Sequence, residues 1–271
     1  MYKSFFKWAG GKYKLLPTLL PSIGDCTQFI EPFAGSGCVS LNVESPVTVV
    51  NDANTDLINT YKVLINEGED FINACEKLFI DGNEESVYYE RREEFNSIED
   101  YRRKSALFVY LNRHCFNGLT RYNKKGGFNV PFGKYAKPYF PRGEMLQYKN
   151  LMRDRQLLFM HNLDFAQMKL YQQINHETVV YFDPPYIPIS ETSNFTDYHT
   201  DGFTDADQQR LAELAIYLRK QGAKVIISNH DVPRARELYE SARSIVTLDV
   251  NRNVSASASS RKKVKELIAI F

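Results

Sequence analysis

Seven short runs along the chain are dominated by apolar and β-branched residues: QFIEPF (28–33), VTVVN (47–51), QLLFMHN (156–162), VVYF (179–182), AKVIISN (223–229), SIVTLDV (244–250) and VKELIAIF (264–271). Their length and residue types predict strands. The segment DADQQRLAELAIYLRKQG (205–222) has helical spacing instead, with an acidic first turn after Thr204 and a stop at Gly222. Strands alternating with helices predict an α/β sheet, mostly parallel. The last two runs are too close for a helical crossover, so they are expected to pair as an antiparallel hairpin at the sheet's edge.

With 271 residues and 43% apolar content, the chain can build one large domain or two unequal ones. No 18 apolar residues run together, and MYKSFFKWAGGK lacks the apolar stretch of a signal peptide. A cytoplasmic protein with no membrane partner is expected. Cys26, Cys38, Cys75 and Cys115 show neither a C-x-x-C pair nor matching histidine spacing, so they read as free thiols rather than as metal ligands or a disulfide framework. SASASS (255–260) reads as a loop.

Net charge is only +1, but its distribution is uneven. Between Tyr101 and Gly143 there are ten Lys or Arg, ten aromatics and no Asp or Glu. A basic segment interleaved with aromatics suits phosphate neutralisation together with contact to bases. Lys124 and Lys125, beside two glycines, read as mobile phosphate contacts; the alternative for such a run is a solvated basic face. The acidic, helix-like stretch 67–100 is expected to face away from a polyanion.

Ligands of open α/β sheets collect at the carboxyl ends of strands. FIEPFAGSG leads from a strand into the small-residue turn Ala34-Gly35-Ser36-Gly37, where the backbone can approach a ligand closely. It lacks the G-x-G-x-x-G spacing of dinucleotide sites. The next strand ends at Asp52, where a carboxylate can accept hydrogen bonds from ribose hydroxyls. Together these features point to a nucleoside ligand with no essential pyrophosphate, a description that S-adenosylmethionine (AdoMet) fits.

A third strand end is stranger. VVYFDPPY closes on an acid, two prolines and a tyrosine. The prolines fix two φ angles, so the Asp183 carboxylate and the Pro184 carbonyl can stand side by side as two acceptors. Two acceptors suit an amino group such as that of adenine: taking both hydrogens favours a tetrahedral nitrogen with an available lone pair, and Asp183 can receive the departing proton. Tyr186 offers a face on which a base taken out of a duplex can stack. A rigid strand exit with a capping Asp is the plainer alternative.

FKWAGGK (6–12), FIEPFAGSG (29–37), Asp52 and DPPY (183–186), with the basic insert ahead of DPPY, resemble the Dam-type DNA adenine methyltransferases. The resemblance extends through LNR (111–113), NGLTRYN (117–123), FNVPFGKY (128–135), KPYFP (137–141), SNFTDYH (193–199), ISNHD (227–231) and SRKKVKEL (260–267). It implies a Rossmann-like AdoMet-dependent methyltransferase sheet (1–53 and 145–271) and an inserted, mainly helical target-recognition domain (54–144). It further implies that Trp8, Gly10, Lys12, Phe33, Gly35, Asp52, Asp164, Phe165 and Asp183 line the AdoMet pocket, with Asp183, Pro184 and Tyr186 catalytic. Lys7, Leu119, Arg121 and Pro131 fall where the family reads the edges of G-A-T-C. Phe116 and Asn117 fall beside the flipped base, with Phe116 where Tyr is common. Lys134 stands where Arg is frequent, which removes a planar fork from a phosphate contact.

The expectation is therefore an enzyme that methylates the adenine amino group in double-stranded DNA, with AdoMet as donor, no metal and no obligate protein partner. A cytosine amino-group methyltransferase shares the acceptor chemistry, although Ser more often precedes Pro-Pro-Tyr there. A DNA-binding protein that has lost catalysis would not need the set Gly35, Asp52 and Asp183.

Overall fold

A computed structural model describes residues 1–189, 202–251 and 263–271. SNFTDYH, SASASS and the start of SRKKVKEL lie outside the described residues. The described strands are β1 (Gln28–Glu31), β2 (Val47–Asn51), β3 (Leu157–His161), β4 (Thr178–Phe182), β5 (Lys224–His230), β6 (Ser244–Asn251) and β7 (Lys263–Ile270). The α-helices are α1 (Leu16–Ile23), α2 (Cys38–Asn42), α3 (Thr55–Glu67), α4 (Glu69–Lys77), α5 (Glu85–Ser97), α6 (Tyr101–His114), α7 (Arg142–Arg153), α8 (Asp205–Lys220) and α9 (Pro233–Leu238). All seven expected strands form. The first ends sooner than its apolar pattern, because Pro32 has no N–H to give to a ladder.

The chain divides into two compact units, residues 1–24 with 34–164 and residues 25–33 with 165–271. In the first, β2 and β3 pair in parallel, Val47 opposite Leu157 through Asn51 opposite His161. Its helices surround an aromatic core that includes Phe5, Phe6, Tyr61, Phe95, Phe108, Tyr110 and Phe128, all buried. The segment 55–114 is almost wholly helical. Helix α6, capped by the Asp100 carboxylate on the Arg102 and Arg103 N–H groups, is buried along its last ten residues.

The acidic stretch does not stand apart from the basic one. Glu67 pairs with Arg102 at 2.5 Å, Glu94 with Arg103 at 2.7 Å and Glu76 with Arg142 at 2.5 Å, while Asp56 lies 3.6 Å from Lys104. With Lys134 4.0 Å from Glu85, five of the ten basic residues are matched inside the unit, because helices α3 to α7 pack together and bring distant segments of opposite sign side by side.

In the second unit the strand order is β1-β4-β5-β7-β6. Strands β1, β4 and β5 are parallel, and β7 runs antiparallel to both β5 and β6. The expected hairpin is present, with its ladder running from Ser244–Ile270 to Asn251–Lys263. Every residue of β4 is buried. Helix α8 starts at a capping box in which Thr204 accepts the Asp207 N–H and the Asp207 carboxylate accepts the Thr204 N–H. Among the described residues, no helix is long and apolar enough to cross a membrane.

Candidate active site

In the first unit, Gly35 is held on three sides. Its N–H donates to Asp52 Oδ2 at 2.8 Å, and its carbonyl accepts the buried Tyr61 hydroxyl at 2.7 Å. A Cβ at this position would lie 2.6 Å from Trp8 Nε1, and φ is +48°, so only glycine suits this turn. Nearby, Lys12 is buried and donates to the Gly10 carbonyl at 2.6 Å.

Asp52 sits just past β2. Its second oxygen accepts the Asn54 N–H at 2.9 Å, so each carboxylate oxygen has one backbone donor and retains a second lone pair. Burial raises the Asp52 pKa; the Asn54 and Gly35 amides oppose that shift. The buried Asn51 side chain both accepts from the Leu163 N–H, at 2.9 Å, and donates to the Leu163 carbonyl, at 3.0 Å. Asn162 donates to the Asp52 carbonyl at 2.8 Å. These bonds bring the segments carrying Asp52 and Asp164 together, and Asp164 is exposed there.

In the second unit, β4 delivers Asp183, Pro184, Pro185 and Tyr186. The loop is fastened from below by buried polar side chains. Gln208 donates to the Pro185 carbonyl at 2.7 Å, Asn229 Oδ1 accepts the Ile187 N–H at 2.9 Å, and His230 Nδ1 lies 2.6 Å from the Ile187 carbonyl. Asn229 in turn donates to Gln208 at 3.2 Å and to the Tyr239 hydroxyl at 3.0 Å. A satisfied buried network of this kind holds one geometry. Burial, and next the Asp183 charge, push the Tyr186 phenol well above its ordinary pKa, so it remains a hydrogen-bond donor. Phe33 and Phe165 form an aromatic pair with centroids 5.3 Å apart.

The residues expected to meet DNA lie in the first unit and are tied to one another. Asn112, buried in α6, accepts the Lys7 N–H at 2.9 Å and donates to the Lys7 carbonyl at 2.8 Å. The Lys7 ammonium stands 4.1 Å above the Tyr135 ring, and burial, then Arg113, lower its pKa. The Tyr135 hydroxyl accepts the Asn117 N–H at 2.9 Å, and the Phe116 N–H donates to the Pro131 carbonyl at 2.8 Å. Asn117 takes a left-handed conformation, φ +55°, which Asn tolerates better than most residues. Phe116 is 48% exposed, Leu119 is half-buried, and Lys134 is exposed with its ammonium 4.0 Å from Glu85.

Arg121 belongs to the adjoining hairpin. Its Nε donates to Asn129 Oδ1 at 2.8 Å, and its Nη2 donates to the Asn129 carbonyl at 3.3 Å. Lys124 and Lys125 are exposed at the tip, but that tip is well pinned. Asn123 Oδ1 accepts the N–H groups of Lys125 and Gly127, and the Asn123 backbone bonds to Gly126 and Gly127. An Asx-type turn therefore replaces the freedom that two glycines suggest.

Several supporting residues escape a reading of motifs alone: Tyr61, Asn112, Asn129, Gln208 and Glu266. Asn112, Asn129 and Glu266 fall within the matched stretches LNR, FNVPFGKY and SRKKVKEL, as Asn229 does within ISNHD, but nothing local in those stretches shows what each side chain holds.

The first unit thus carries a turn tied to a strand-end carboxylate, and the second an acid-proline-aromatic loop after a buried strand. The chain belongs to the D12 class N6 adenine-specific DNA methyltransferase family, whose family model matches residues 8–254. It is 42% identical over 273 residues to the DNA adenine methylase of Escherichia coli (strain K12), covering 99% of this chain and 95% of that protein. The DNA adenine methylase of Serratia marcescens is 43% identical over 274 residues, covering 99% and 98%. That of Vibrio cholerae serotype O1 is 41% identical over 272 residues, covering 99% and 96%. The family is a transferase acting on adenine, which sets aside both the cytosine enzyme and the binder without catalysis.

Proposed function

We propose that the chain transfers a methyl group from AdoMet to adenine in double-stranded DNA, within G-A-T-C, in the cytoplasm. Trp8, Gly10, Lys12, Phe33, Gly35, Asp52, Asp164, Phe165 and Asp183 hold the cofactor. The donor set fits it: a carboxylate with a spare lone pair on each oxygen suits vicinal hydroxyls, and aromatic rings suit an adenine face. When bound, AdoMet supplies an activated methyl on a sulfonium, so no metal is needed.

Residues 54–144 serve as the target-recognition domain. Lys7, Leu119, Arg121 and Pro131 read base edges, Phe116 and Asn117 touch or intercalate near the flipped base, and Lys124, Lys125 and Lys134 neutralise phosphates. Asp183 and the Pro184 carbonyl accept the two hydrogens of the adenine amino group, Asp183 takes the proton, and Tyr186 stacks on the ring. The single observation that carries this reading is the fastening of the loop after β4 through Pro185 and Ile187, which presents preorganised acceptors without a cost of reorganisation.

The test is Asp183→Ala. Transfer of labelled methyl to a G-A-T-C duplex should be lost while duplex affinity stays within a few fold; transfer near the wild-type rate would remove Asp183 from the chemistry. Sequencing of modified bases in DNA exposed to the wild-type enzyme would give the target motif at the same time.

A further inference from the structure

Tyr186 is gripped by two residues that face each other across neighbouring strands. The register of β5 and β7 sets His230 opposite Glu266. Glu266 Oε2 accepts the Tyr186 hydroxyl at 3.1 Å. The His230 ring meets the Tyr186 ring nearly edge-on, with centroids 4.8 Å apart and planes at 78°. The same imidazole holds the Ile187 carbonyl, so the backbone beside the tyrosine is fixed as well.

An acid at position 266 is not what the strand needs for packing. Leu267, Ile268 and Ala269 follow it as buried apolar residues, and its other cross-strand neighbour is Leu248. Glu266 is half-buried, and its carboxylate reaches the far end of a tyrosine 80 residues earlier in the chain. A tyrosine ring anchored only at its Cβ can turn about two side-chain torsions; a bond at the hydroxyl end holds the tip of the ring and so restrains the first, while the edge-on His230 ring restrains rotation of the plane about the second.

We propose that Glu266 is a positioning residue for methyl transfer, holding the tip of the Tyr186 ring so that the ring stands where the target adenine stacks. This rests on Tyr186 being the stacking ring, as set out above. Glu266 acts through Tyr186. His230 sets the ring from its side, and Glu266 sets it from its tip.

The experiment is a double-mutant cycle on the full chain with Glu266→Ala, Tyr186→Phe and the pair combined, read by single-turnover methylation, KM for DNA, and emission of a duplex carrying 2-aminopurine at the target position. Each single variant should slow the chemical step about tenfold, the scale of one hydrogen bond to a charged acceptor, with KM for DNA nearly unchanged. The combined variant should be no slower than either single one, because both remove the same bond. Bound 2-aminopurine should emit more strongly in Glu266→Ala than in wild type, and Glu266→Gln, whose amide oxygen still accepts, should recover most of the rate. Glu266→Met retains the bulk without a comparable acceptor and stands in for Glu266→Ala if thermal unfolding shows that variant to be unstable. If loss of the acid slows the Tyr186→Phe enzyme as much as it slows wild type, the residue acts through packing and the proposal is overturned. A Glu266→Ala enzyme at wild-type rate beside a slow Tyr186→Phe enzyme overturns it too. If Tyr186→Ala methylates normally, it is the stacking role of Tyr186 that falls, and the role of Glu266 falls with it.

Discussion

The Gly35 N–H donates to the Asp52 carboxylate at 2.8 Å, so the turn after β1 and the end of β2 are one hydrogen-bonded object rather than two adjacent motifs. Damage to either partner is therefore expected to spread to the other.

Gly35→Ala meets two obstacles, a φ of +48° and a Cβ placed 2.6 Å from the Trp8 indole nitrogen. Strain of this kind costs about 1 to 3 kcal/mol. Calorimetry should find AdoMet affinity reduced at least about tenfold, with a lower melting temperature. Unchanged affinity would separate the turn from the cofactor.

Asp52→Ala removes the acceptor of two backbone N–H groups together with the proposed ribose contact. AdoMet binding should weaken by about 1 to 3 kcal/mol, and melting should fall because the Gly35 and Asn54 amides lose their partner. An unchanged dissociation constant measured by titration would refute the ribose contact while leaving the structural bonds standing.

Arg121 and the lysine pair should fail in different ways. The guanidinium is braced by Asn129, an arrangement suited to a fixed fork reading guanine, where such a contact discriminates by about 1 to 3 kcal/mol. Arg121→Ala should relax preference at one base pair of the target. Lys124→Ala with Lys125→Ala should weaken binding to every sequence and reduce the salt slope by nearly two, at roughly 0.9 per phosphate contact. Methylation of the cognate duplex and its single-base variants at several salt concentrations separates the two; an Arg121→Ala enzyme that is uniformly slow, with preference intact, would make Arg121 a phosphate anchor.

Buried His114 gives the fold a dependence on acidity. Its pKa is pushed down to about 4, chiefly by burial, with Arg91 and Lys7 adding repulsion and the Tyr110 carbonyl opposing. In the unfolded chain a histidine titrates near 6.5, so between that value and about 4 the unfolded state takes up a proton that the folded state refuses. Stability present above pH 6.5 should drain by about 3 kcal/mol as the pH falls through that window. Urea midpoints from pH 7 to 4 should decline less steeply for His114→Phe than for wild type, whatever their absolute values.

The parts of the site legible in the sequence are those whose physics is local. Asp183-Pro184-Pro185-Tyr186 announces itself because prolines, an acid and an aromatic stand together at the end of an apolar run. Gly35 and Asp52 are legible because strand ends and small-residue turns have short signatures. The residues that hold these parts in place are not, because a hydrogen bond between Glu266 and Tyr186, or between Asn229 and Ile187, joins positions 80 and 42 apart. Charge pairing within the basic segment is hidden for the same reason. Counting charge along the chain places Arg102 in an unbroken positive run, whereas in space it lies beside Glu67.

Strand β7 fills the space between β5 and β6, although it is synthesised after both. While a growing chain is still short of residue 263, β5 and β6 must wait on the ribosome with open edges, and β6 has no neighbour in its unit to join. Closing that gap is a long-range step that local structure cannot hasten. It also brings in Glu266, so a chain interrupted before that strand leaves Tyr186 without its anchor.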